Sequence, residues 1–144
     1  MSSRSTAFFE HGGKKTMTDR DRIPFRAEDA PPPAGPYSQA IRSGGFLFLA
    51  GQGPFRPDGS KVESSFEDQA RQTFKNLQAV AAAAGASLAD AVRVGVYLRD
   101  MSDFPVLNKV YVEFFSDPMP ARTTIQSDLP GFDIEVDAVI AMGD

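Results

Sequence analysis

Pro120-Ala121-Arg122-Thr123-Thr124 places an arginine at the start of an extended segment, just after a proline-marked turn. A guanidinium held at such a rim can bind a carboxylate through two parallel hydrogen bonds, with more directionality than lysine offers. On pattern alone, a surface arginine or a structural ion pair fits better than a ligand site. Glu135 stands on the polar side of an otherwise apolar segment. Its carboxylate could orient or deprotonate a water within hydrogen-bonding reach of a reacting atom. A solvated strand face shared with Asp137 is the alternative, and the pattern does not separate the two. Asn108 follows Phe104 by one helical turn at the edge of an apolar stripe, where a buried amide must find partners. It either borders a site or, more commonly for such a residue, satisfies backbone groups. Tyr37, in Gly35-Pro36-Tyr37-Ser38-Gln39, could set a ring and a hydroxyl against a ligand, although a core tyrosine is the commoner outcome.

The inventory narrows the chemistry. With no cysteine, and with the single histidine, His11, in the polar leader, a Ser-His-Asp triad, a thiol nucleophile and a multi-histidine metal site are not expected. The lack of cysteine suits a reducing, cytoplasmic setting. No apolar run approaches the ~20 residues of a membrane span, and the first residues lack the apolar core of a secretory signal. Residues 31–144 hold nine basic and 14 acidic residues, a net charge of −5, with no basic cluster. That sign opposes a phosphate backbone, so nucleic-acid binding is disfavoured. Gly51-Gln52-Gly53 is too short and wrongly spaced for a nucleotide-phosphate loop.

These residues need elements to hold them. Residues 1–30 are polar, charge-mixed and aperiodic, which predicts a flexible N-terminal extension in which Met17 is a candidate start. Ala30-Pro31-Pro32-Pro33 is a stiff entry to one domain over residues 31–144. Residues 35–41 form a first strand or an ordered loop. Phe46–Ala50, a continuous apolar run closed by Gly51, reads as a strand buried on both faces. Phe66, Ala70, Phe74, Leu77, Val80 and Ala84 share one helical stripe, started by Ser65 with Asp68 and stopped at Gly85. Val92, Val94, Val96 and Leu98 alternate as in a strand. A second helix follows, capped by Ser102 or Asp103, with Pro105 in its first turn and Phe104, Leu107, Tyr111 and Phe114 as its stripe. Phe104, Phe114 and Phe115 are expected to serve the core. Strands around 122–127 and 134–140 complete the order β-β-α-β-α-β-β, an α+β domain with both helices on one face of a mixed sheet.

Taken in order, Gly35-Pro36-Tyr37-Ser38-Gln39-Ala40, Ala50-Gly51-Gln52, Gln69-Ala70 with Asn76-Leu77, Pro120-Ala121-Arg122 and Ile134-Glu135-Val136 resemble the Rid, or YjgF, family of reactive-intermediate deaminases. The resemblance covers about residues 31–141. It implies a chorismate-mutase-like α+β protomer and a homotrimer with clefts at the subunit interfaces. The implied activity is that of a 2-iminobutanoate/2-iminopropanoate deaminase, a hydrolase acting on C–N bonds. Such an enzyme hydrolyses 2-aminoacrylate or 2-iminobutyrate to 2-keto acid and ammonia, without metal or organic cofactor. Under the same resemblance Arg122 binds the substrate carboxylate, and Glu135 holds the attacking water, helped by the backbone around Thr124. Tyr37 closes over the substrate, and Asn108 and Ala50 line the cleft.

Three departures bear on substrate preference. Thr124 stands where many deaminases of the family have cysteine, Ala50 where others have serine, and the 115–120 loop is shorter than usual. Two other functions stay open: a trimeric small-carboxylate-binding or regulatory protein without turnover, and a relative serving another degradation pathway. A ribonuclease role, attached to some relatives, is opposed by the net charge.

Overall fold

Gln39 ties the segment before it to the core. Its side-chain oxygen accepts the Ala27 N–H at 2.6 Å, while its amide nitrogen donates to the carbonyls of Ala27 (3.3 Å) and Pro31 (2.7 Å). A buried primary amide satisfied at both ends ties the preceding segment to the sheet. The computed structural model describes residues 20–143, and within them the sheet starts at β1 (Ile23–Phe25), with Ala27 and Ala30 buried in the core. The expected boundary at residue 31 is therefore too late. Residues 23–30 look aperiodic because a three-residue edge strand and two small core residues leave no periodic trace. His11 and Met17 lie outside the described residues.

The strands β2 (Ala40–Ser43), β3 (Phe46–Gln52), β4 (Ala91–Leu98), β5 (Ala121–Gln126) and β6 (Ile134–Ala141) join β1 in one six-stranded sheet of order β1-β2-β3-β6-β4-β5. Only β4 and β5 run parallel. The helices are α1 (Phe66–Ala83) and α2 (Phe104–Tyr111). This is the α+β protomer expected, with one strand added at the front. Among the described residues no helix is long and apolar enough to cross a membrane.

The buried stripe of α1, Ala70, Phe74, Leu77 and Val80, packs on the inner sheet residues Leu47, Leu49, Val94, Val96, Ile134, Val136 and Ile140. The Ser65 hydroxyl accepts the Asp68 N–H at 3.2 Å, and Gly85, at φ +76°, takes the left-handed conformation that ends the helix. At α2 the cap lies earlier than expected. Asp100 accepts the Ser102 N–H at 2.9 Å and opens a single 3-10 turn that runs into the helix, while the Asp103 side chain caps nothing.

Two strand expectations are corrected. In β3, Leu47 and Leu49 are buried, but Phe46 and Phe48 are 45% and 47% exposed, because both helices cover the same sheet face and leave the other open. In β4, Val92 is exposed where its alternation predicts burial. Ala91 pairs with Ile140 and Arg93 with Val139, so Val92 is the extra residue of a β-bulge. In β6, Ile134, Val136, Ala138 and Ile140 are buried, and Glu135 and Asp137 lie on the open face.

Candidate functional site

The strand pairing fixes where Arg122 points. It sits opposite Val94 in the parallel pair, and Thr124 opposite Val96, so both face the helices. There Arg122 donates to the Asn108 Oδ1 at 2.8 Å, and its guanidinium carbon lies 4.7 Å from the Tyr111 ring centroid and 5.5 Å from that of Phe104. Phe104, Asn108 and Tyr111 are spaced i, i+4, i+7, so one face of α2 supplies all three contacts. Arg122 is half-buried, yet among the described residues no carboxylate pairs with it. The structural ion pair admitted by the pattern is thus not what holds it. Two hydroxyls beside it, those of Thr124 and Tyr111, are buried with no hydrogen-bond partner. Burial pushes the Tyr111 phenol above its ordinary range, and the nearby Arg122 cation opposes part of that rise.

The other residues gather elsewhere. Tyr37, Ala50, Gly51 and Glu135 line a cleft of about 610 Å³ walled by Pro31–Pro33 on one side and by Phe55 and Phe132 on the other. The buried amides of α1 build its walls. Asn76 donates to the carbonyls of Gly53 (3.1 Å) and Phe55 (2.7 Å), fixing the loop after β3. Gln69 donates to the Asp133 carboxylate (3.2 Å) and accepts the Asp133 N–H (3.1 Å), fixing the approach to β6 and hence Glu135. Tyr37 is half exposed at the rim, its hydroxyl accepting the Ala34 N–H at 3.1 Å. It is not the core tyrosine that its residue type suggests.

Glu135 points into this cleft beside Gly51, where a Cβ would collide with its carboxylate. Burial first, and the neighbouring Asp137 second, hold its pKa above the usual carboxylate range. Asp137 accepts a hydrogen bond from the Tyr97 hydroxyl at 3.0 Å, and this pushes the phenol pKa upward. Among the described residues Glu135 has no hydrogen-bond or ion-pair partner. No three His, Asp or Glu side chains among those residues converge as metal ligands.

The structure therefore groups Arg122, Asn108 and Thr124 in one place and Tyr37, Ala50 and Glu135 in another. Within a single chain it does not bring the two groups together. β5 and β6 are separated by β4, a gap of about 10 Å between strand axes, and Arg122 and Glu135 lie on opposite faces of the sheet. Sequence reasoning assigned Tyr111 and Phe104 to the core alone. Their i, i+4, i+7 spacing with Asn108 is the signal that would have placed them beside Arg122.

Similarity to known proteins identifies the class to which this α+β protomer belongs. The family model described as Endoribonuclease L-PSP matches residues 27–142. A RutC family protein of Pyrococcus horikoshii is 49% identical over 115 residues, covering 78% of this chain and 91% of that protein. A protein of Dermatophagoides farinae named 2-iminobutanoate/2-iminopropanoate deaminase is 39% identical over 116 residues, with the same coverage, 78% and 91%. The crystal structure of RidA from the Antarctic bacterium Psychrobacter sp. superposes with a TM-score of 0.79 at 39% identity, covering 83% of this chain and 99% of that one. The chain belongs to the YjgF/RidA/RutC family.

Proposed function

We propose that this protein hydrolyses small 2-imino and 2-enamino acids, such as 2-iminobutyrate or 2-aminoacrylate, to the 2-keto acid and ammonia. In this reading the reaction occurs at clefts formed where three copies of the chain meet. The observation that carries the reading is this separation: among the described residues, each protomer holds an arginine without a counter-ion and a cleft carboxylate without a cation. Copies that apply the Arg122 edge of one to the Glu135 cleft of the next complete both. The exposed Phe46, Phe48 and Ile125 on the uncovered sheet face supply apolar surface for such a contact. The name of the Dermatophagoides farinae relative supports the chemistry.

The steps follow from the groups. Arg122 binds the substrate carboxylate and fixes C2 in position, which turns attack by water into a nearly unimolecular event. Glu135 takes a proton from that water as its oxygen attacks C2 of the imine, and its raised pKa brings it closer to neutrality, where a general base is most effective. That proton passes to the nitrogen of the tetrahedral adduct; Glu135 then takes the proton of the adduct's hydroxyl and delivers it to the same nitrogen, so that the carbonyl forms as the C–N bond breaks and ammonia and the keto acid leave. An enamine first takes a proton at carbon to become the imine. The groups named suffice for this sequence, so treatment with a chelator is expected to leave the rate unchanged.

The test couples an amino-acid oxidase to the purified protein and follows the free imine by semicarbazide trapping. The protein should suppress semicarbazone formation and accelerate keto-acid release, and Arg122→Ala should abolish both effects. Equal rates with and without protein would discard the reading. A binding role without turnover is the second reading, favoured by one observation: the support of Arg122 is complete within one chain and does not involve Glu135. Under that reading Glu135→Gln leaves the binding of small carboxylates intact.

A further inference from the structure

Arg122 is held in an unusual way for a half-buried cation. An arginine that serves stability is normally matched by a carboxylate, because an unpaired buried charge is costly. Here its contacts among the described residues are neutral: one amide oxygen and two aromatic rings. Ring faces carry partial negative charge and attract a guanidinium without neutralising it. The cation therefore keeps its full charge for an incoming anion, and an amide that occupies one N–H leaves others free.

The ring closer to Arg122 is also fixed in place. Tyr111 is 5% exposed, stacks on Phe115 with ring centroids 4.4 Å apart, and meets Phe74 edge-on at 5.9 Å. Phe74 is itself fully buried on α1. A continuous aromatic layer thus runs from the core of the protomer to the underside of the guanidinium. The tyrosine hydroxyl is buried with no hydrogen bond of good geometry, although it lies close enough to the guanidinium for Arg122 to lower its pKa; the phenylalanine variant separates ring from hydroxyl. A phenylalanine in its place would keep every ring contact.

We infer that Tyr111, assisted by Phe104, is a positioning residue for substrate binding: its ring is the rigid platform that keeps Arg122 in place and aimed at the substrate carboxylate. This inference rests on the functional reading above, in which Arg122 receives that carboxylate. It adds which side chains set the geometry of Arg122, and assigns the work to the ring of Tyr111 rather than to its hydroxyl.

The experiment compares Tyr111→Phe, Tyr111→Leu and Arg122→Ala with the wild type in the full-length chain, with folding checked by circular dichroism and thermal melting. Dissociation constants are measured for 2-ketobutyrate and for its uncharged amide, together with KM and kcat for imine hydrolysis. Tyr111→Phe should bind 2-ketobutyrate within roughly twofold of wild type, since the ring is retained. Tyr111→Leu should weaken 2-ketobutyrate about tenfold, raise KM more than it lowers kcat, and leave the amide unaffected. If Tyr111→Leu does not fold, Phe104→Leu, at the less buried end of the same helix face, should show the same carboxylate-specific loss. A folded leucine variant with wild-type affinity, or one that loses carboxylate and amide equally, overturns the platform. Failure of the functional reading looks different: the wild type itself then binds 2-ketobutyrate no better than the amide, or Arg122→Ala binds it as well as wild type.

Discussion

The β5–α2 edge and the β3–β6 cleft each carry one charged residue of the proposed site, but they are built on opposite principles. At the edge, one helix face gives Arg122 an amide and two rings, and among the described residues no carboxylate neutralises it. In the cleft, Glu135 is left unfinished, with no partner among the described residues, a raised pKa, and a missing Cβ at Gly51 as the space its carboxylate occupies. A cation can be held charged by neutral polarisable groups because arginine does not deprotonate, whereas a carboxylate in the same isolation responds by moving toward its neutral form. The arginine half is thus suited to constant binding, and the glutamate half to proton transfer that depends on pH.

That contrast can be broken or sharpened by substitution. The largest effect is expected for Arg122→Ala, which should lower kcat/KM for imine hydrolysis by about a hundred- to a thousandfold. Arg122→Lys should recover only part of this, since a point charge lacks the fork geometry. Glu135→Gln comes next, with kcat down about a hundredfold while 2-ketobutyrate binds as before. If binding falls with turnover, the two halves are not functionally separate. Gly51→Ala places a methyl where the Glu135 carboxylate lies, and steady-state assays should show a roughly tenfold loss of kcat. Its melting temperature should change little, because the clash is with the end of one side chain.

The pH profile gives a subtler measure. Glu135 acts when ionised, so the acid limb of kcat/KM should fall above the ordinary glutamate range, reflecting burial first and Asp137 second. Asp137→Asn removes the second cause, and the limb should move to lower pH without returning fully. A limb that stays in place would mean that Asp137 does not act on Glu135. Ser65→Ala is the smallest case: it should cost about 1 kcal/mol in a denaturation curve through the lost helix cap, with no change in catalytic constants.

Most of the scaffold was legible in the chain because it depends on local periodicity. The α1 stripe, its Ser65 start and Gly85 stop, and the alternation of β6 all appear in the structure as the spacing predicts. Local pattern failed where a distant residue decides the outcome. Ile23–Phe25 is a strand because β2 is beside it and Gln39 anchors Ala27, neither of which leaves a mark on residues 23–30. Phe46 and Phe48 look like core residues but face outward, since a run of apolar residues cannot say whether both sheet faces are covered within one chain.

The same division holds for the candidate site. The sequence by itself determined which side chains are available for chemistry, because their types and the missing cysteines exclude most mechanisms whatever the fold. It also carried the motif residues Gln39, Gln69 and Asn76, whose buried amides turn out to pin the segments around the cleft. Only the tertiary structure decided that Arg122 and Glu135 lie on opposite faces with a strand between them, and that Tyr111 lies against the guanidinium. Those facts depend on strand order and on which helix face meets which edge, and such long-range choices are set by packing of the whole core rather than by any local run of residues.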